Sequence, residues 1–247
     1  MPHFAHRLRH WDVSSAARVD GFAANLSHVA DRIRKYWRRE AAIVHPPVAV
    51  TEFRPTAAQE VEDFYLWAGE LAPYKRPDIA IDAFRLSGLR LVIAGGPETA
   101  RRALAERARG HDNITFAGRV SDTELRCLMA RCRALIFPGE EEFGIIPVEV
   151  MASGRPVIAY GFGSALDTVV DGHTGLLFHD QSAEGLAAAV VERFEAEGLD
   201  RLDPAALLAH ARRFDEAAFR QGILHSLHAI GAPLADTLDK SCRAAAS

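Results

Sequence analysis

The sequence predicts an α/β domain built on a six-stranded, all-parallel sheet with helices on both faces. From residue 64 onward, short apolar runs alternate with longer amphipathic stretches, the pattern that parallel strands joined by crossover helices impose. Each run is too short and too apolar to be a half-exposed antiparallel strand, so both sheet faces are expected to be covered. Size adds a bound: 247 residues, 49% of them hydrophobic, bury one principal core and a small appendage rather than two full α/β domains.

The early chain differs from the rest. Residues 19–24 and 41–45 read as strands flanking a basic amphipathic helix over 27–37, and Pro46-Pro47 ends regular structure. About 45 residues close no core alone, so this segment reads as the last strand-helix-strand unit of an earlier domain, most of which is expected upstream. Residues 48–63 read as a linker. The expected strands then follow at 64–68, 89–94, 114–117, 134–137, 156–160 and 175–178, with helices at 77–86, 99–109, 122–131, 148–152, 165–170 and 183–197. Ser121 and Glu124 form a capping box for the helix over 122–131, each satisfying an orphan amide of the first turn. Two more helices are expected over 204–230, and a flexible tail over 231–247.

Composition removes several function classes. Lys+Arg total 29 against 33 Asp+Glu, a net charge of -4, which gives no field to attract a polyanion, so nucleic acid is not an expected partner. Cys127, Cys132 and Cys242 form neither a disulfide framework nor a metal pair, which fits a reducing, cytoplasmic setting. No apolar run approaches the roughly 20 residues that span a bilayer, and residues 1–12 lack a signal-peptide core.

The densest functional signal runs from Pro138 to Glu149, from a strand end through an acidic turn into a helix. Ligands bind open α/β sheets at such strand ends. Pro147 is expected at the first helical position, which puts Glu149 in the first turn and aims the amides around Gly144 to Val148 at any bound phosphate. Carboxylates beside an anion-friendly helix end suit hydroxyl-rich cargo such as sugar or ribose. From spacing alone the alternative stays open, a solvated acidic loop with Glu149 merely favouring the helix dipole.

The stretch Glu141-x7-Glu149 within Glu-Glu-Phe-Gly-Ile-Ile-Pro-Val-Glu-Val-Met-Ala-Ser-Gly-Arg-Pro resembles the EX7E segment of the family 4 retaining glycosyltransferases, which have the GT-B fold of two facing Rossmann-like domains. Residues 68–78 resemble that family's phosphate-binding loop, residues 113–122 its base-binding loop, and residues 163–175 the usual end of the sheet. The resemblance covers about residues 9–230. It implies a remnant of the N-terminal acceptor domain over 1–47, a nucleotide-sugar-binding domain over 64–200 and C-terminal helices over 201–230. By position, it implies that Glu149 binds the ribose hydroxyls, Glu141 the transferred sugar, and Lys75 the diphosphate together with Gly69, Arg76 and the amides of Gly144, Ile145 and Ile146. Backbone near Arg119 and Val120 would hold the base. The implied activity is transfer of a hexose, mannose being one candidate, from a UDP- or GDP-linked donor to a sugar or lipid-linked acceptor in surface-polysaccharide assembly, with no cofactor and no metal. A second reading is a donor-binding module that needs an N-terminal partner domain.

One residue departs from the resemblance. Glu70 stands where the family commonly has Arg, putting negative charge beside the expected diphosphate, with Arg76 a candidate to compensate it. Gly95-Gly96-Pro97 reads as a turn, or as a backbone approach to a ligand. Gly161-Phe162-Gly163 lacks the rest of a dinucleotide fingerprint. His3, His6 and His10, and His225 and His228, have ligand-like spacing without partners and read as surface histidines. Residues 32–39 read as an exposed basic helix face, with contact at the inner face of an anionic membrane as the alternative.

Overall fold

The structure is a computed structural model and describes residues 2–232. The tail expected over 231–247 falls outside the described residues from 233 on, as do Cys242 and the side chain of His3. The chain divides into two compact units. One groups the described residues before Val48 with those from Glu216 on, and the other is Val48–Asp215.

In the first unit, helix α1 (Pro2–Ala16) precedes a two-stranded parallel sheet of β1 (Ala23–Ala24) and β2 (Ala42–Ile43), joined by α2 (Ser27–Trp37). Ala24, Ala30 and Ile33 form its small core, with Phe22, Val29, Trp37 and Ala41 packed around them. Both strands are shorter than expected. Helix α1 was not expected, because its apolar residues define no buried stripe: Phe4, Leu8 and Trp11 are exposed. Part of the basic stretch is tied down locally. Arg34 pairs with Asp31 at 2.7 Å and Glu40 at 3.2 Å, and Arg39 donates to the carbonyls of Ala16, Val19 and Asp20.

The second unit starts with the expected linker, which is packed rather than free. Val48 donates to the Phe214 carbonyl at 2.8 Å, Val50 and Phe53 are buried, and short 3-10 turns form at Val50–Glu52 and Ala58–Glu60. The sheet elements follow as β3 (Tyr65–Ala68), α3 (Pro77–Ser87), β4 (Leu91–Ala94), α4 (Glu98–Arg107), β5 (Ile114–Gly118), α5 (Asp122–Arg131), β6 (Leu135–Phe137), α6 (Ile145–Ala152), β7 (Val157–Tyr160), α7 (Ala165–Thr168), β8 (Gly175–Phe178) and α8 (Ala183–Ala188). The helix expected over 183–197 continues from α8 as a π-helical stretch, Ala189–Glu195. Helix α9 (Pro204–Ala211) closes this unit against α6. Helix α10 (Glu216–Ala229) belongs with the first unit.

All six strands are parallel, in the order β5-β4-β3-β6-β7-β8. Alternate side chains divide the core. Tyr65, Trp67, Ile93 and Ile158 join α3 and α8 in one cluster, while Leu66, Leu135 and Val157 between them are buried outside it. Edge strand β5 departs from the expectation of full cover, because Thr115 and Ala117 are exposed.

Where the strands begin, a polar knot closes the sheet. Arg133 donates to Glu195 at 2.7 Å and Asp200 at 3.0 Å, and the Tyr65 hydroxyl donates to Glu195. Burial, and then the bond to Glu195, push the Tyr65 phenol up from its ordinary range. Burial pushes the adjacent Cys132 thiol up to about 12, which keeps it an unreactive core group. The other rim is open. The chain leaves β3 toward β5 and then returns to β6 on the opposite side, so the loops after β3 and β6 diverge and leave the crevice typical of a topological switch point.

Candidate functional site

At that rim a cleft of about 490 Å³ is lined by Gly69 and Glu70 after β3, Ala94 to Pro97 after β4, Arg119 and Val120 after β5, Leu125 of α5 and Ile146 of α6. Backbone bonds hold three of its loops together. Gly69 N–H donates to the Ala94 carbonyl at 3.0 Å, and Gly95 N–H to the Gly118 carbonyl at 2.7 Å. The Gly95-Gly96-Pro97 turn thus joins strands and lines the cleft as well.

The loop after β6 packs against the loop after β3. Gly139 leaves no room for a side chain: a Cβ there would lie 2.6 Å from Lys75 Cα and 2.7 Å from the Tyr74 carbonyl oxygen. This contact brings Lys75 Nζ to 3.0 Å from Glu141 Oε2, with only 14% and 15% of the two side chains exposed. A Cβ built on Gly69 would lie 3.6 Å from Lys75 Nζ and 3.7 Å from Ile146 Cδ1. Lys75, Gly69, Ile146 and Glu141 therefore meet at one place. Glu140 and Glu142 remain exposed, so the three adjacent carboxylates avoid mutual repulsion by splitting between one buried pair and two solvated groups.

Helix α6 starts earlier than expected. It begins at Ile145, after Gly144 at φ 70°, a left-handed conformation that glycine adopts without steric cost. Pro147 is consequently the third helical residue and Glu149 the fifth, in the second turn rather than the first. The amides of Ile145, Ile146 and Val148 still open at the helix N-terminus, where no partner exists within the helix, and Ile146 carries that end into the cleft. Glu149 does not line it. The residue is half-buried one turn beyond Ile146, and burial raises its carboxyl above the ordinary range, with Arg126 opposing and Asp122 and Glu52 reinforcing the shift. Arg126 is itself paired with Glu52. A carboxylate so placed is stabilised by hydrogen-bond donors such as a pair of hydroxyls.

Arg76 does not compensate Glu70. Its guanidinium grips Asp78 with two bonds of 3.1 Å, which raises its pKa, and it is not a lining residue. Glu70 and Arg119 are exposed. Neither shows an ion pair among the described residues. Leu125 was missed from the sequence, although it follows the Ser121 capping box by one turn, where a helix start faces the cleft. His6 and His10 contact each other at 3.1 Å. Among the described residues no group of three or more His, Cys, Asp or Glu could hold a metal, and no helix is long and apolar enough to cross a membrane.

Every residue around this cleft lies within residues 50–214, which match the family described as glycosyl transferases group 1. The chain belongs to this family. The fold and motif resemblance read from the sequence agree with that membership. As a group 1 glycosyltransferase chain it is 30% identical over 193 residues to the D-inositol 3-phosphate glycosyltransferase of Mycobacterium marinum, covering 70% of this chain and 41% of that protein. Against the same-named protein of Mycobacterium avium it is 33% identical over 192 residues, covering 70% and 45%. It thus spans under half the length of these curated relatives. Anabaena HepE, solved with UDP and glucose, superposes with a TM-score of 0.73 at 20% identity, over 92% of this chain and 68% of that one. Sucrose-phosphate synthase from Thermosynechococcus elongatus gives 0.70 at 23%, over 96% and 62%. Both likenesses speak for the shared GT-B fold.

Proposed function

We propose that the cleft binds a UDP- or GDP-linked sugar, and that the chain is the donor-binding part of a retaining glycosyltransferase moving a hexose, such as mannose, to a sugar or lipid-linked acceptor in surface-polysaccharide assembly. The observation that carries this reading is the convergence of Gly69, Lys75, Glu141 and the start of α6 at the switch point. In this reading Arg119 and Val120 hold the base, while Lys75 and the amides of Gly144, Ile145 and Ile146 hold the diphosphate. Glu149 takes the ribose and Glu141 the sugar hydroxyls. The departing nucleoside diphosphate gathers negative charge as the glycosidic bond breaks, so fixed amides and Lys75 stabilise the transition state more than the ground state. Hydroxyls arriving at Glu141 would replace Lys75 as its hydrogen-bond partners and turn the ammonium toward phosphate.

The relatives' names support sugar transfer, and the UDP and glucose in HepE support this class of donor. A second reading, a donor-binding module that needs a partner domain for turnover, is favoured by the chain's spanning under half of its curated relatives. Calorimetry with UDP and GDP tests the cleft. Glu149→Ala is expected to weaken the preferred nucleotide about 10- to 100-fold, the worth of a charge-assisted hydrogen bond; unchanged affinity would remove Glu149 from the site. Donor hydrolysis by the chain alone would separate the enzyme from the module.

A further inference from the structure

Exposed aromatic surface in Val48–Asp215 is confined to one place. Among the described Phe, Tyr and Trp side chains of this unit, the exposed ones are Tyr74, at 56%, and Phe162, at 42%. Both sit on loops at the open rim, Tyr74 after β3 and Phe162 after β7, and both loops adjoin Glu141. Tyr74 does so through Lys75, whose ammonium lies 5.7 Å from the Tyr74 ring centroid and 3.0 Å from Glu141 Oε2. Phe162 precedes Gly163, where a Cβ would lie 3.4 Å from the Glu141 carbonyl oxygen. An exposed ring leaves in water apolar area that a core position would bury, and here both such rings border the carboxylate assigned to the sugar.

We propose that Tyr74 is a stacking surface for the hexopyranose of the nucleotide sugar, its ring lying against the C–H face of the sugar while Glu141 accepts from the hydroxyls. A pyranose is amphipathic in the same way as this corner of the rim: hydroxyls project around its edge, and C–H bonds line its faces. The face of an aromatic ring carries the negative part of the ring quadrupole, which attracts both an ammonium and weakly positive C–H groups. Tyr74 and Glu141, on either side of the Lys75 ammonium, therefore supply the two halves of sugar recognition. Phe162 extends the apolar border on the far side of Glu141. This inference rests on the nucleotide-sugar reading of the cleft, and adds to it a contact that distinguishes the sugar from the nucleotide.

Calorimetry of the full chain with UDP-glucose and GDP-mannose, each set against its free nucleotide, tests it. Tyr74→Ala is expected to weaken the preferred nucleotide sugar about tenfold and to leave the free nucleotide within about twofold, with thermal unfolding unchanged because the side chain is exposed. Tyr74→Phe, which keeps the ring face, is expected to bind both as the parent does. Tyr74→Leu, apolar but without a ring, is expected to bind as Tyr74→Ala does. Equal weakening of nucleotide and nucleotide sugar overturns the proposal, because a surface that stacks on the sugar acts on the sugar alone. Unchanged affinity of Tyr74→Ala for the nucleotide sugar, or full affinity in Tyr74→Leu, also overturns it and leaves the nucleotide reading standing. So does a parent that binds a nucleotide but neither nucleotide sugar. No binding of any of the four probes overturns the nucleotide reading itself, and this inference with it.

Discussion

Glu149 illustrates how burial can make an ionised residue costly to the fold. Burial holds its folded carboxyl above the ordinary range. Between the ordinary value and the raised one, the folded chain keeps a proton that the unfolded chain has released, so stability falls as pH rises through that window. Glu149→Gln has no such proton to lose. Without nucleotide, its Tm is expected to exceed the parent's at neutral pH, with the gap closing toward about pH 4, where both states of the parent are protonated. Melting curves across that range check this, and a constant gap would refute it. Lys75, Gly69 and Ile146 were named together through the family resemblance alone, and the structure brings them to one rim because each sits in a loop or helix start at the ends of the strands. The capture of Arg76 by Asp78 two residues on was not legible, since it depends on the left-handed turn at Arg76 (φ 52°), which residue type does not announce. The split of Glu140, Glu141 and Glu142 was equally hidden, because the partner that buries Glu141 comes from another loop, 66 residues earlier.

Elements announced themselves where side chains cap or bound them. Ser121 Oγ accepts from the Glu124 amide at 3.3 Å, and Ser121 N–H donates back to Glu124 Oε2 at 2.8 Å, so α5 begins where the capping box puts it. Ser121→Ala is expected to cost roughly 1 kcal/mol, a fall of about 2–4 °C in Tm, read by thermal unfolding; no change would mean that solvent satisfies that amide equally well. Helix α6 was misplaced by the same logic. Its start is set by the backbone conformation of Gly144 rather than by a side-chain cap, and the eye falls instead on Pro147. The π-helical stretch after α8 was illegible for a different reason. Its sequence, Ala-Val-Val-Glu-Arg-Phe-Glu, carries nothing that sets a π stretch apart from an α-helix, and what distinguishes it is tertiary: Phe194 is fully buried, 5.9 Å from the Tyr65 ring, while Glu195 takes the Tyr65 hydroxyl. Strand ends in the six-stranded sheet drifted little because apolar runs bounded by Gly, Pro and charged residues have few other places to pair. The strand expected from residue 89 starts at Leu91, and that from 134 at Leu135.

The whole molecule divides by its cores rather than by its order along the chain. Helix α10, last among the described helices, serves the early residues: a Cβ at Gly222 would come within 3.0 Å of Val44 Cγ1, and one at Gly21 within 2.7 Å of Ile230 Cγ2. A chain ended at Asp215 is therefore expected to lose roughly 100-fold of hydrogen-exchange protection at the β1 and β2 amides while β3 to β8 keep theirs. Equal protection in both sheets would show the first unit to be independent of α10. No residue-by-residue pattern could have forecast this pairing, which joins the early residues to a helix about 170 positions later along the chain. Within Val48–Asp215, the contact of Gly139 with the Tyr74-Lys75 backbone bears on how such proteins diversify. The two loops that flank the switch point fit each other main chain to main chain, so replacing one with another sequence would have to preserve the bare backbone approach at Gly139, and a graft is expected to succeed only when both loops are moved as a matched pair.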